Sequence, residues 1–146
     1  MATFVDANVV IHATGTDARL RALCGDICRD SALSATPLVT SAEVLQEILW
    51  VRQRTRGLES ARLALSIAMA PLRVVPLLPA DVVRPAGYPE IPGLQARDRV
   101  HLAVMERLGI TRIVSTDRAF DLADGITRLD PADFLAWRTE TCAGNP

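Results

Sequence analysis

The chain contains no lysine: all of its 16 basic residues are arginine. Every contact with a phosphate would therefore be made by a guanidinium, which can bond two oxygens at once. Acidic residues number 17, so the net charge is −1. That balance excludes a global field that draws in polyanions; a nucleic-acid site must be local. Aromatics are scarce, at 4%, while hydrophobic residues make up 49%. A core is affordable, but it must be mostly Leu, Val, Ile and Ala. Cysteine is limited to Cys24, Cys28 and Cys142. An odd, irregularly spaced set excludes a disulfide framework, and neither His12 nor His101 stands at zinc-finger spacing. Cys24 and Cys28 share one helix face and read as half-buried thiols, which points to the reducing cytoplasm. Long apolar runs are missing as well. "LALSIAMAPL" (63 to 72) is too short to span a bilayer, and "MATFVDANVV" has no basic region leading into a long apolar stretch, so neither membrane span nor signal peptide is expected.

What remains is enough for one domain of 146 residues. Strand signals stand at 3–5, 38–40, 73–77, 112–115 and weakly at 126–129. Helical periods lie between them at 18–30, 41–54, 59–70 and 97–108, with a last helix at 131–138 and a polar tail at 139–146. Gly109 is a stop signal for the fourth, and Pro131 suits the first turn of the last. Strands alternating with helices predict a three-layer α/β/α sandwich around a mainly parallel sheet of four to five strands. The stretch 79–95, "PADVVRPAGYPEIPGLQ", reads as one long irregular loop, and such loops are more often functional than idle.

The carboxylates carry the chemistry. In a parallel α/β sheet, sites form beyond the carboxyl ends of the strands. Asp6 leaves the first strand and Asp117 a later one. Asp98 opens a helix that must start on that same side, and Glu43 and Glu47 ride the first turns of the helix after "LVT". Topology alone brings these positions to one rim. Like charges a few ångströms apart raise each other's pKa, and a hard divalent cation relieves the repulsion; an all-oxygen set points to Mg²⁺ or Mn²⁺. Each residue also has a plain structural reading. Asp98 and Asp117 suit helix caps, and Glu43 suits the positive end of a helix dipole. Asp6 fits a cap least, because a helix would have to begin at once and "NVVIHA" continues apolar.

The segments "FVDANVVIHA", "TSAEVLQEIL" and "ARDRVHLAVMERLGITRIVSTDRAFD", with acids in the order Asp, Glu, Asp, Asp, resemble a PIN-domain nuclease, and within that family the VapC-type toxins of bacterial toxin–antitoxin pairs. The resemblance spans about residues 3 to 136 and is strongest from Ala96 to Asp121. It implies a Mg²⁺-dependent endoribonuclease (Mn²⁺ as substitute) in which metal-activated water hydrolyses RNA phosphodiesters. It places Asp6 first, Asp98 third and Asp117 fourth among the acidic positions, with Ser115 as hydroxyl partner of the last. The second falls on Glu47, counted from Ser41, with Glu43 open as the alternative one turn earlier. Asp121 would be an outer fifth carboxylate, and Asn8 a support for a ligand. A small antitoxin and a homodimer are the partners so implied.

Other residues have plainer expectations. His12 and His101 read as packed, hydrogen-bonded histidines, with contact to a metal water or a phosphate as the alternative for His101, which lies one turn after Asp98 on the same helix face. Arg52, Arg54 and Arg56 read as a solvated helix end, with RNA contact as the alternative. Trp50 and Trp137 are expected to be buried or interfacial, and the apolar face of 63–70 to be core, or else a groove for the antitoxin or a dimer contact. Two competing functions remain in view. One is an inactive PIN-like module that binds RNA or protein. The other is a haloacid-dehalogenase-like phosphatase with Asp6 as nucleophile; it wants an acid where Asn8 stands, and a lysine.

Overall fold

The computed structural model describes residues 1–30 and 37–143. Five short strands, β1 (Thr3–Val5), β2 (Leu38–Ser41), β3 (Arg73–Val75), β4 (Arg112–Val114) and β5 (Thr127–Leu129), form one sheet. Its order is β3-β2-β1-β4-β5, and every pairing is parallel. Phe4 pairs with Val39 on one side and with Ile113 on the other, so β1 is the central strand. All residues of β1 and β2 are buried. That explains their unbroken apolar character, because a parallel sheet is covered on both faces.

Among the described residues six helices do the covering: α1 (Ala7–Ala13), α2 (Ala18–Asp30), α3 (Ala42–Met69), α4 (Pro79–Val83), α5 (Ala96–Leu108) and α6 (Pro131–Ala143). α1 packs on α2 and α3, and α2 packs on α6, while α5 packs on α4 and α3. The result is the expected three-layer sandwich. Phe4, Ile27, Ile48, Met105, Ile113, Phe120 and Phe134 are fully buried between the layers. Burial of each such side chain stabilises the fold by about 1.5–3 kcal/mol.

Three elements differ from expectation. The helix α1 follows β1 without a loop, where the sequence suggested a continuing apolar segment. The helix of α3 bends at Gly57, whose φ of 82° and ψ of 174° are open to glycine and strained for other residues. This break separates the two predicted helical periods. The segment 79–95 is partly ordered, holding α4 and a 3-10 turn at Arg84–Gly87. It is anchored by Asp81, which is shielded from water and takes three hydrogen bonds from Arg107 of α5 at 2.9–3.2 Å. That guanidinium holds the Asp81 carboxyl below its usual range. The final helix runs on to Ala143, through residues expected to lie in a tail. Cys24 and Cys28 are buried, more deeply than expected, and burial pushes their thiols up to about 12 and about 11. Such thiols are inert.

Candidate active site

The strand order turns outward in both directions from β1, so the chain changes direction between β1 and β4. Crevices at such a switch point, beyond the carboxyl ends of the strands, are where open α/β sheets bind ligands. Asp6 and Ser115, the residues directly after β1 and β4, stand there.

Asp6 is the N-cap of α1, contrary to expectation: its Oδ1 accepts the Ala7 N–H at 2.7 Å. Its Oδ2 accepts from the Ser115 hydroxyl at 2.6 Å and the Asn8 amide at 2.7 Å. Ser115 Oγ in turn accepts from Asn8 Nδ2 at 2.9 Å and from the Asp117 N–H at 3.0 Å. One hydroxyl proton and two lone pairs are thus all used. Asn8 Oδ1 accepts the Thr116 N–H at 3.2 Å, which ties the exit of β4 to α1. Asn8 and Ser115 therefore orient Asp6 and bind two strand ends together.

Facing Asp6 is His101 of α5, fully buried and stacked near Phe4 with ring centroids 5.6 Å apart. Its Nε2 is 3.5 Å from Glu47 Oε2 and 3.8 Å from Asp6 Oδ1. These are ion-pair rather than hydrogen-bond distances. Both ring nitrogens and Glu47 Oε2 are buried without a hydrogen-bond partner. Burial raises the Asp6 carboxyl above its ordinary range despite the opposing charge of His101 and the Ser115 bond. His101 is raised too: burial works against its charge, and Glu47 and Asp6 outweigh it. His101 is packed, as the sequence favours, but it is not hydrogen-bonded, and it stands beside the acidic cluster as the alternative reading of it required. Its place one turn after Asp98 was visible; the glutamate reaching it from another helix was not.

Asp98 lies at the third position of α5 and accepts the Gln95 N–H at 2.7 Å, leaving its other oxygen for the site. Burial, with the Asp6 and Asp117 charges adding to it, pushes its carboxyl up to about 6, although the Gln95 bond pulls the other way. Asp117 caps the 3-10 turn Arg118–Leu122 through Oδ1, bound to the Ala119 N–H at 2.9 Å. Capping and site membership are thus compatible. The structure brings ligand atoms of Asp6, Glu47 and His101 within 4.8 Å of one another, and Asp98 feels the charges of Asp6, His101 and Asp117.

Other expected residues lie elsewhere. Glu43 pairs with Arg97 at 3.6 Å, so Glu47 is the glutamate that meets Asp6 and His101. Asp121 gives both oxygens to Arg128, at 2.9 and 3.1 Å, which makes it a structural pair rather than an outer carboxylate. Arg52 is buried; it bonds the Ile11 carbonyl and, at 2.8 Å, the Thr14 hydroxyl, closing the end of α1. It is therefore no RNA contact. Arg56 reaches the Thr14 carbonyl at 3.1 Å from an exposed position. Arg54 lies 4.4 Å from the centroid of Trp50, whose indole is 45% exposed rather than buried. The side chains of Trp137 and Cys142 fall outside the described residues.

The donors fit a divalent cation. Two carboxylates and an imidazole converge, with Glu47 Oε2 and both ring nitrogens of His101 buried and unpaired, and burial pushes the Asp6 carboxyl toward protonation. The model of the PIN domain family matches residues 3–126. Ribonuclease VapC23 of Mycobacterium tuberculosis is 36% identical over 115 residues, covering 78% of this chain and 91% of the relative. Ribonuclease VapC7 of the same organism is 35% identical over 124 residues, covering 82% and 86%. Among solved structures, the sarcin-ricin-loop-cleaving toxin VapC20 of Mycobacterium tuberculosis superposes with a TM-score of 0.62 at 21% identity, covering 77% of this chain and 87% of that one. VapBC2 of Rickettsia felis, solved with a promoter DNA fragment, superposes with a TM-score of 0.65 at 12% identity, covering 88% and 98%. The family match spans most of the chain and coincides with the acidic rim at the switch point: the chain belongs to the PIN-domain family, with VapC ribonucleases among its relatives.

Proposed function

We propose that this chain is a Mg²⁺-dependent endoribonuclease, the toxin of a VapC-type toxin–antitoxin pair, with Asp6, Glu47, Asp98 and Asp117 as its acidic centre. The observation that carries this is the convergence of Asp6, Glu47 and His101 within 4.8 Å, together with the identity to VapC ribonucleases. A Mg²⁺ or Mn²⁺ ion held there supplies charge neutralisation, an activated water and stabilisation of the departing oxygen. The chain's own part is positional. Asn8 and Ser115 fix the Asp6 carboxylate, and the start of α5 presents Asp98. Asp117, capping through Oδ1, has its second oxygen for the same task.

An antitoxin partner is supported by the apolar side chains that the fold leaves outside. The second half of α3 buries Ala64 and Ala68 but exposes Leu63 by 61% and Met69 by 60%, and α4 exposes Val83 by 72%. Apolar side chains this exposed on α3 and α4 are available to an antitoxin or to a second copy of the chain. The test is RNA cleavage by the purified chain. Activity is expected with Mg²⁺ or Mn²⁺, absent in EDTA and weak with Ca²⁺, which tolerates looser geometry. Undiminished cleavage in EDTA sinks the proposal.

A further inference from the structure

Aromatic residues are few in this chain, and the core takes most of them. Phe4, Phe120 and Phe134 are completely buried, and Tyr88 is half-buried with its hydroxyl bonded to Glu106. Trp50, at 45% exposure, is the aromatic left in water among the described side chains. Its position is specific. Glu43, Glu47, Trp50 and Arg54 recur at helical spacing and form one stripe on α3. At about 1.5 Å per residue, Trp50 lies roughly 4.5 Å along the axis beyond Glu47.

Two guanidinium groups flank the indole, Arg54 at 4.4 Å and Arg97 at 4.9 Å from its centroid. Arg97 immediately precedes Asp98 and also pairs with Glu43 at 3.6 Å. The exposed ring is therefore continuous with the acidic centre along both α3 and the start of α5. We propose that Trp50 is the stacking platform for an unpaired RNA base next to the cleaved phosphodiester, with Arg54 and Arg97 taking the adjoining phosphates. This rests on the nuclease reading and names how that site holds its substrate.

The chemistry favours exchange of partners on the ring. Stacking of a base on an aromatic side chain is worth more than a cation–π contact in water. An incoming base thus displaces a guanidinium, and the freed arginine gains a phosphate as a bidentate partner. No lysine competes for that role. Because a duplex hides the faces of its bases, the platform selects single-stranded or looped RNA.

The test uses the full chain, labelled oligoadenylate, and the same oligomer with its bases removed. Binding is measured in EDTA, where no cleavage is needed, and the fluorescence of Trp50 is followed in a Trp137→Phe background. Trp50→Ala should weaken oligoadenylate binding about tenfold, and Trp50→Tyr should restore most of it. The abasic oligomer should bind both proteins alike. Arg54→Ala should lower the slope of log affinity against log salt by about 0.7, the value of one single-strand phosphate contact. In Mg²⁺, Trp50→Ala should raise KM with kcat little changed.

Equal affinity of wild type and Trp50→Ala for oligoadenylate, or an indole emission that RNA leaves unaltered, overturns the stacking role; the exposed ring would then serve a protein contact. The two proposals fail separately. Binding that quenches Trp50 without any Mg²⁺-dependent cleavage removes the nuclease and keeps the platform, whereas cleavage with unchanged KM in Trp50→Ala does the reverse.

Discussion

Asp6 takes three hydrogen bonds, caps a helix and lies 3.8 Å from a buried histidine, so one carboxylate serves both fold and site. Asp98 divides its oxygens in the same way, and that division separates the two roles experimentally. Its pKa is raised to about 6 in the folded chain. A carboxyl raised above its unfolded value stabilises the fold fully below the unfolded pKa. That contribution is lost as pH rises through the folded one. In EDTA the melting temperature should therefore fall as pH climbs from about 4 to about 6. Asp6 and His101, both raised, act in the same direction. Asp98→Asn keeps an oxygen for the Gln95 N–H and removes the charge. It should flatten that profile and stabilise the protein at neutral pH by roughly 1–2 kcal/mol, after discounting for partial exposure. RNA cleavage should vanish in the same variant. Asp98→Ala also loses the bond to Gln95 and should forfeit about 1 kcal/mol of the gain. An Asp98→Asn protein that still cleaves RNA takes Asp98 out of the site.

At the level of elements, what was legible depended on whether the signal was local. β1 and β4 announce themselves through apolar runs closed by Asp6 and Ser115, and α5 through a helical period that Asp98 opens, so the rim could be drawn from topology. α1 could not, because "NVVIHA" is β-branched and apolar, a composition that suits a strand as well as a buried helix. Its helical state is imposed by packing on α2 and α3 and by the Asp6 cap. Arg52 looked like a solvated helix end because nothing in its neighbourhood shows the end of α1, 38 residues back, that it closes. Asp121 and Asp81 hide their partners similarly. The Asp81–Arg107 pair is the clamp that holds α4 and the turn after it on α5. Removing one member strands the other's charge. Asp81→Ala should cost about 2 kcal/mol, less than a fully buried pair because Arg107 is partly exposed. The measurement is urea unfolding, with RNA cleavage retained below the transition. A stability within about 0.5 kcal/mol of wild type, the range of ordinary surface changes, contradicts the clamp.

Across the whole molecule, no helix among the described residues is long and apolar enough to cross a membrane. The sheet delivers the ends of β1 and β4 to the acidic cluster. Alanine on the inner side of α3 leaves larger apolar groups exposed, and arginine is the sole long basic side chain. At the centre of this arrangement Asp6, Asp98 and His101 hold protons more tightly than usual. A cation that takes their place must release those protons. Calorimetric titration of the purified chain with Mn²⁺, at pH 6 in buffers of different ionisation enthalpy, reads both events at once. The expected result is site-specific uptake with proton release, lost in Asp6→Asn while that protein remains folded. A titration without heat, or uptake that Asp6→Asn leaves unchanged, contradicts a metal centre at this rim.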